Sequence, residues 1–262
     1  MVIKYNIDNQ LSASKNELKE ITPAPNNTQS TALRAALWLA VSGKAKIGFL
    51  RFLNKIFKYK TVNLNGELRN HTTRNMTKHM ATALIIIDIQ NDYFDKGSNP
   101  LSGSDEATKN ARLILDDCRS RGLPIIHIQH LATRSTATFF LPNTIGADIY
   151  ADVRPLDNEK VIVKNYPNSF RETELLEYLT FLNVSQLVIC GMMTHMCVDA
   201  TTRAAKDFGF ECTIISDACA TKDLEIDERH VKAADVQTSF LAALNYFYST
   251  VKSTKQFLTM IK

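Results

Sequence analysis

The stretch LIIIDIQNDYF, residues 84–94, places four aliphatic residues directly before Asp88 and a second acid, Asp92, four positions later. An uninterrupted aliphatic run of this length predicts a strand that is covered on both faces, as in a parallel sheet between helices. Ligands of such sheets bind beyond the carboxyl ends of the strands, so Asp88 lies where a functional residue is expected. Asp92 is interpreted as an ordinary loop or cap residue.

Further apolar runs of strand length follow, and helix-like segments separate most of them. The strands are predicted at 83–89, 124–129, 160–164, 186–191 and 211–216, and the helices at about 105–121, 171–182, 195–208 and 229–249. This alternation predicts a three-layer α/β/α fold with a doubly wound parallel sheet of five to six strands. We expect the domain to span residues 76–262.

The residues before this domain have a different composition. Residues 1–80 carry 13 Lys and Arg against 4 Asp and Glu, whereas residues 81–262 carry 18 against 23. Residues 1–30 show no periodicity and are predicted to be disordered. Residues 31–75 are predicted to be a basic, partly helical extension, because Ile47, Leu50, Leu53 and Ile56 recur at helical spacing among Lys and Arg.

The role of this extension has more than one interpretation. Such a pattern is found in segments that lie on a membrane surface or bind nucleic acid. It is also found in tails that pack on their own domain or on a partner, and the extension could lie upstream of a native product that starts at Met76 or Met80. These alternatives stay open.

The cysteine pattern and the short apolar runs indicate a cytoplasmic protein that is not inserted in a membrane. Five cysteines form no CxxC pair, and an odd number without a compact framework indicates reduced thiols in the cytoplasm. The apolar run AALWLAVSG at 35–43 is far shorter than the roughly 20 residues that cross a bilayer, so no stable membrane insertion is expected. No glycine-rich phosphate motif follows a strand, and no nucleic-acid partner is expected for the domain.

Three reactive side chains are predicted at the carboxyl ends of three strands. Asp88 ends the first strand, Lys164 ends the third in VIVKNYPNSF, and Cys197 follows the fourth in GMMTHMCVDATTRAA. Each has an ordinary explanation by itself, respectively a turn, an amine reaching solvent and a small buried apolar group. Because parallel strands end at one edge of the sheet, an acid, an amine and a thiol together predict an active site.

The surroundings of Cys197 favour nucleophilic chemistry. Thr194 is a suitable N-cap, which would place Cys197 at the third helical position, where backbone N–H groups and the helix dipole favour a thiolate. The backbone amides of Met193 and Cys197 could stabilise an oxyanion. Asp88 could accept the thiol proton and pass it to a leaving amine, with Lys164 keeping Asp88 ionised or stabilising the thiolate.

The segments LIIIDIQNDYF, VIVKNYPNSF and LVICGMMTHMCVDATTRAAKDFGF, with SDACAT after them, resemble the signatures of the isochorismatase-like cysteine hydrolase superfamily. This superfamily includes nicotinamidases, N-carbamoylsarcosine amidases and streptothricin-hydrolase-like enzymes, and the resemblance covers about residues 82–248. It implies an Asp–Lys–Cys triad at Asp88, Lys164 and Cys197, a thioester intermediate and a cis peptide between Met192 and Met193. It also implies a homo-oligomer.

Two departures narrow the function within the superfamily. Isochorismatases proper lack the cysteine, so Cys197 favours amide chemistry. Nicotinamidases carry an Asp-x-His pair and a further histidine that bind a metal, whereas the corresponding stretch here, HLATRSTATFFLPNTIGADIY at 130–150, offers His130 alone. Because one histidine does not make a zinc or iron site, we expect neither a metal nor another cofactor.

The substrate pocket is assigned to loops at the active edge. Its predicted wall consists of Phe94, His130, Phe139, Phe140, Tyr150 and Phe170, with plain core packing as the alternative for each aromatic ring. The long connection 131–159 is the expected lid. The sequence thus predicts a cytoplasmic, metal-independent hydrolase of a small amide, lactam or ureido compound. The alternatives are a nicotinamidase that recruits its metal differently, or a silent member of the fold whose basic arm at 31–60 binds a partner.

Overall fold

Residues 81–259 are described by the computed structural model, and six parallel strands run through the middle of this region. The predictions for residues 1–30 and 31–75, and the domain boundary at residue 76, lie outside the described residues. The sheet consists of β1 (Ala81–Ile87), β2 (Ile125–His130), β3 (Lys160–Lys164), β4 (Val184–Met192), β5 (Glu211–Ala220) and β8 (Thr250–Lys252). Between β5 and β8, an antiparallel hairpin is formed by β6 (Leu224–Ile226) and β7 (Arg229–Val231).

Between residues 81 and 259, five α-helices connect or follow the strands. They are α1 (Ser104–Ser120), α2 (Leu175–Phe181), α3 (Asp199–Asp207), α4 (Ala233–Phe247) and α5 (Thr254–Thr259). None of the helices between residues 81 and 259 has the length and apolar character needed to cross a membrane.

Strand β1 shows why the fold has three layers. Its side chains alternate between two cores: Leu84 and Ile86 pack on the face covered by α1 and α5, whereas Ile85 and Ile87 pack on the face covered by α2, α3 and α4. A strand whose successive residues are all buried must be covered on both sides, and this explains the continuous aliphatic run. The predicted three-layer α/β/α fold with a parallel sheet is therefore confirmed, and the sheet has six strands.

The strand order β3-β2-β1-β4-β5-β8 places a topological switch point between β1 and β4. The chain moves outward from β1 to β3 and then returns to the other side of β1, so the loops after β1 and β4 diverge and leave a crevice. Gly191 allows the two strands to approach there. Its φ is 130°, and a Cβ atom would lie 2.0 Å from the carbonyl oxygen of Ile87.

Several predicted boundaries were wrong. The helix expected at 171–182 is limited to Leu175–Phe181, and the helix expected at 229–249 begins at Ala233 because the hairpin β6–β7 occupies the preceding residues. The segment 195–208 begins as a π-helical turn, Thr194–Val198, before α3. Strand β8, with three residues, was not predicted.

A buried ionic network holds the connection that leads into β3. The carboxylate of Glu159 accepts hydrogen bonds from Arg119 Nε and Nη2 at 2.7 and 2.9 Å, from His127 Nε2 at 2.9 Å and from the Leu156 amide at 2.9 Å. Only 5% of the Glu159 side chain is exposed. The network joins α1, β2 and the last turn before β3, and thereby fixes the strand that ends at Lys164.

Candidate active site

Asp88 follows β1 at the switch point and is completely buried. Its φ of 50° is unusual for a residue with a side chain, and its amide donates to the carbonyl of Ile128 at 3.1 Å. Its Oδ2 atom lies 2.7 Å from Lys164 Nζ in a close ion pair, although neither carboxylate oxygen receives a hydrogen bond of ordinary angle from residues 81–259. Burial acts to raise the pKa of Asp88, but the charge of Lys164 and contacts with His130 outweigh it and lower the pKa.

Lys164, at the end of β3, brings its amine into the same place. Nζ donates to the carbonyl of Tyr166 at 3.1 Å and lies 3.4 Å from that of Pro167. Burial acts to lower the pKa of Lys164, but Asp88 and Cys197 outweigh it and raise the pKa. Lys164 is therefore a fixed ammonium in the site, as the sequence predicted.

Cys197 lies in the π-helical turn after β4, and its local geometry differs from the prediction. The turn begins at Thr194, which forms no side-chain cap, because its buried hydroxyl donates to the carbonyl of Ala220 at 3.2 Å. The expectation that Thr194 is an N-cap was therefore wrong. The cis peptide between Met192 and Met193 is present, and this expectation is confirmed.

The protonation state of Cys197 also differs from the prediction. Burial, followed by the negative charge of Asp88, raises the pKa of this thiol far above its ordinary value, and Lys164 offsets only part of the increase. Position near a helix start therefore does not by itself make the sulfur a thiolate. The resting group is a neutral thiol, which must lose its proton to a nearby base before it can attack.

His130, which the sequence analysis assigned to the pocket wall, lies among these three residues. Its Nδ1 atom is 3.1 Å from Lys164 Nζ, 3.7 Å from Asp88 Oδ2 and 3.9 Å from Cys197 Sγ. It is the last residue of β2, so its backbone ends at the same sheet edge. The rule that located Asp88 and Lys164 at strand ends would have found His130 too, had the predicted second strand been one residue longer.

Aromatic rings lie beside this cluster, and one of them, that of Tyr93, was not among the predicted wall residues. Tyr93 is buried between Phe139 and Phe140, with ring centroids 5.9 and 4.6 Å away. Burial and the charges of Cys197 and Asp88 raise the pKa of Tyr93 well above its ordinary value. Phe140 is fully buried and also faces His130 at 5.8 Å. Tyr93 therefore stays a neutral phenol near Asp88 and Cys197.

The remaining predicted wall residues separate into two groups. The rings of Phe94 and Tyr150 stack on each other, with their centroids 3.6 Å apart. Both residues line a cleft of about 590 Å³ next to the loop 131–159. Phe170 packs instead against Phe208 and Phe210 on the opposite face of the sheet from Phe94. These contacts are core packing, and Phe170 shares its core cluster with Cys197, so its assignment to the pocket wall stays a prediction.

Asp92, interpreted from the sequence as an ordinary loop or cap residue, anchors the loop that covers the site. Its carboxylate accepts hydrogen bonds from the backbone amides of Phe140 at 2.6 Å and Ser98 at 3.1 Å. Gly146 packs so closely on this carboxylate that a Cβ atom at position 146 would have no room. The Phe140 carbonyl in turn accepts the amide of Ala132 at 2.8 Å. The central part of the expected lid is therefore tied to the residue four positions after Asp88.

The site contains atoms that could in principle bind a metal. One ligand atom each from Asp88, His130 and Cys197 lie within 4.8 Å of one another. However, the ammonium of Lys164 lies 2.7 Å from the carboxylate and 3.1 Å from the imidazole. It occupies the position and supplies the positive charge that a divalent ion would bring, so this donor set does not fit a resident metal while Lys164 is charged.

Comparison with known proteins agrees with this geometry. The family model described as the isochorismatase domain matches residues 82–244. The isochorismatase family protein YddQ of Bacillus subtilis (strain 168) is 49% identical over 179 residues, which are 68% of this chain and 99% of that protein. A solved isochorismatase structure from Pseudomonas putida KT2440 is 37% identical, covers 68% of this chain and 90% of its own, and superposes with a TM-score of 0.64.

A relative with a named activity is more distant. Streptothricin hydrolase of Streptomyces noursei is 30% identical over 142 residues, which are 54% of this chain and 55% of that protein. The family match covers five of the six strands of the sheet, with β8 beyond its end, and it includes the segments that carry Asp88, Lys164 and Cys197. On the extent of these matches, the chain belongs to the isochorismatase family of hydrolases.

Proposed function

We propose that this protein is a cysteine hydrolase that cleaves a C–N bond of a small amide, lactam or ureido compound through a thioester on Cys197. The observation that carries the proposal is the fully buried ion pair of Asp88 and Lys164, whose atoms are 2.7 Å apart and which lies beside the Cys197 thiol. The activity of the Streptomyces relative on streptothricin gives independent support for hydrolysis.

In the first step Asp88 removes the proton from Cys197, and the thiolate attacks the substrate carbonyl carbon. Because Lys164 stays charged throughout, the buried cluster keeps the same net charge and the negative charge only moves from oxygen to sulfur. Such a transfer avoids the large cost of creating a new buried charge. The oxyanion that forms on the carbonyl is assigned to the backbone amides of Met193 and Cys197.

In the second step the C–N bond breaks, and protonated Asp88 gives its proton to the leaving nitrogen. The acyl group is then held as a thioester, and the amine departs. Water enters, loses a proton to Asp88 and attacks the thioester carbonyl. The C–S bond breaks, the carboxylic acid leaves, and Asp88 returns the proton to sulfur, so the enzyme is regenerated with one water consumed.

The test is a screen of small amides, lactams and ureido compounds, with mass spectrometry of the intact protein to trap the acyl adduct. We expect an adduct on Cys197 whose added mass equals the acyl group of the substrate. The Cys197→Ala variant should lose turnover and adduct formation while its circular dichroism spectrum stays that of the wild type.

A matched control uses another buried thiol. Cys118 packs in the α1 core away from the triad, so Cys118→Ala should keep turnover even if it lowers stability somewhat. Wild-type turnover in Cys197→Ala would overturn the proposal. Absence of turnover for every compound, nicotinamide included, in a folded wild-type protein would favour a catalytically silent member of the family.

A further inference from the structure

His130 is the one member of the active-site cluster to which the mechanism above gives no task. Its Nδ1 atom contacts Lys164 at 3.1 Å, and it lies 3.7 Å from Asp88 Oδ2 and 3.9 Å from Cys197 Sγ. The distance to Asp88 is longer than a hydrogen bond, and the contact with Cys197 is a long hydrogen bond to sulfur, so the contact with Lys164 is the shortest polar contact of the ring. The hydrogen bond to Lys164 is therefore the contact that defines the state of the ring.

That contact fixes where the imidazole carries its proton. A lysine ammonium has three N–H donors and no acceptor, so it approaches a ring nitrogen favourably only if that nitrogen has a lone pair. Lys164 also donates to the Tyr166 carbonyl and forms the close ion pair with Asp88, and neither contact gives its nitrogen a lone pair. His130 is consequently neutral, with Nδ1 as an acceptor and the proton on Nε2.

The Nε2–H group then points away from the cluster, without a partner among residues 81–259. No hydrogen bond joins Nε2 to any residue between 81 and 259, and 17% of the His130 side chain is exposed, whereas the side chains of Asp88 and Lys164 have none exposed. The imidazole thus forms the open end of an otherwise closed cluster. A directed donor at the open end of a buried site is a recognition element.

The ring is also held firmly enough to recognise a ligand. The buried side-chain amide of Gln90 donates a hydrogen bond to the backbone carbonyl of His130 at 2.9 Å. It also accepts a hydrogen bond from the backbone N–H of His130 at 2.7 Å. The same Gln90 side chain donates to the Ala147 carbonyl at 2.8 Å, which ties His130 to the loop over the site. Both backbone groups of His130 are therefore fixed by one residue of the stretch that follows β1.

From these contacts we infer that His130 is a specificity-determining residue, whose Nε2–H binds a second hydrogen-bond acceptor of the substrate. This inference rests on the proposed function and makes it narrower. The preferred substrate carries a carbonyl or similar acceptor close to the scissile amide, as ureido and dicarbonyl compounds do. A plain aliphatic amide leaves the donor unpaired when the site closes, which disfavours it.

The first test needs no substrate. In protein labelled with ¹⁵N-histidine, the nitrogen shifts of His130 are assigned by loss of its signals in His130→Gln. We expect the neutral form with the proton on Nε2 near neutral pH. The Nδ1–H form or an imidazolium would overturn the inference, whatever the enzyme hydrolyses.

The second test compares malonamide, which has a second carbonyl, with butyramide, which replaces that group by an ethyl group. We expect wild-type kcat/KM to favour malonamide by about tenfold or more, the usual effect of one hydrogen bond to a buried donor. In His130→Leu the preference should disappear, mainly through an increase in KM for malonamide. In His130→Gln, which keeps an N–H donor, part of it should return.

The outcomes separate this inference from the proposed function. An undiminished preference in folded His130→Leu, a wild-type preference for butyramide or failure of wild type to cleave malonamide would each overturn the role of His130. A thioester on Cys197 with any of these compounds would still support the hydrolase. Urea unfolding of both variants establishes that the changes in KM come from folded protein.

Discussion

Replacement of Glu159 by Gln tests the network that holds β3 in place. Four donors face the Glu159 carboxylate: two N–H groups of Arg119, Nε2–H of His127 and the amide of Leu156. A glutamine offers one oxygen to these donors, and its NH₂ group meets further donors without finding an acceptor. The variant therefore loses the charge and leaves buried donors unpaired, and both effects destabilise the folded state.

The size of the expected loss of stability follows from the lowered pKa of Glu159. Burial acts to raise the pKa, but hydrogen bonds from Arg119, Leu156 and His127 outweigh it and lower the pKa from 4.5 to about 2. With about 1.36 kcal/mol for each tenfold change, a difference of this size contributes on the order of 3 kcal/mol to the free energy of unfolding at pH 7. We expect Glu159→Gln to lose about 3 kcal/mol, or roughly 6–12 °C in Tm for a domain of this size.

The dependence on pH has a definite sign. A carboxyl whose pKa is lowered by folding stabilises the protein fully above its unfolded pKa, and the contribution is lost as the pH falls towards the folded pKa. The stability gap between wild type and Glu159→Gln should therefore be constant above about pH 5.5 and shrink to less than half of that value at pH 3. The measurement is urea unfolding of both proteins between pH 7 and pH 3.

The control is an ion pair of the same chemical type on the surface. Glu106 contacts Lys109 at 2.6 Å, but the two side chains are 74% and 65% exposed. Glu106→Gln should leave the urea midpoint unchanged within error, since water screens such pairs. Equal stability of Glu159→Gln and wild type at pH 7, or a gap that stays constant down to pH 3, would refute the reasoning.

Three further predictions concern Gly191 at the switch point, the proposed base Asp88 with its partner Lys164, and the N-terminal residues 1–75. Gly191→Ala should cost about 3 kcal/mol or more in stability or prevent folding, because a side chain would strike the end of β1; urea unfolding or soluble yield checks this. Lys164→Met removes the cation that offsets the burial of Asp88, so the pKa of Asp88 should rise. As a result, kcat/KM near neutral pH should fall by about 10³-fold and recover in part at higher pH. An unchanged pH profile of kcat/KM would contradict this role of Lys164. Deletion of residues 1–75 should leave kcat nearly unchanged in a steady-state assay, and a large loss would show that the extension belongs to the enzyme.

The parts of the fold that the sequence predicted are those whose signal lies within one segment. The run from Leu84 to Ile87 is aliphatic on both faces, and burial on both faces is what a central parallel strand needs. Strand β8 has three residues and is defined by pairing with β5, so it leaves no pattern of its own. The hairpin β6–β7 also depends on pairing rather than on composition, and it displaced the start of an expected helix.

In the candidate site, too, some features could be predicted from local sequence signals and others depend on distant contacts. Asp88, Lys164 and Cys197 could be located because strand ends converge and because the motifs resemble a known superfamily, while their catalytic roles stay predictions. The importance of Asp92 could not be predicted, since its partner Phe140 lies 48 residues away in a loop without regular structure. The state of Cys197 was predicted wrongly because the local effect of a helix start was considered without the larger effect of burial.

The buried, neutral thiol of Cys197 also bears on how the protein survives oxidants. Peroxide and electrophiles react with accessible thiolates, and their reaction with a protonated sulfur beneath aromatic rings is slow. Cys197 is 3% exposed, and the ring of Phe140 that helps to cover the site is completely enclosed. The enclosure that raises the pKa of this thiol therefore also keeps such reagents away from the sulfur.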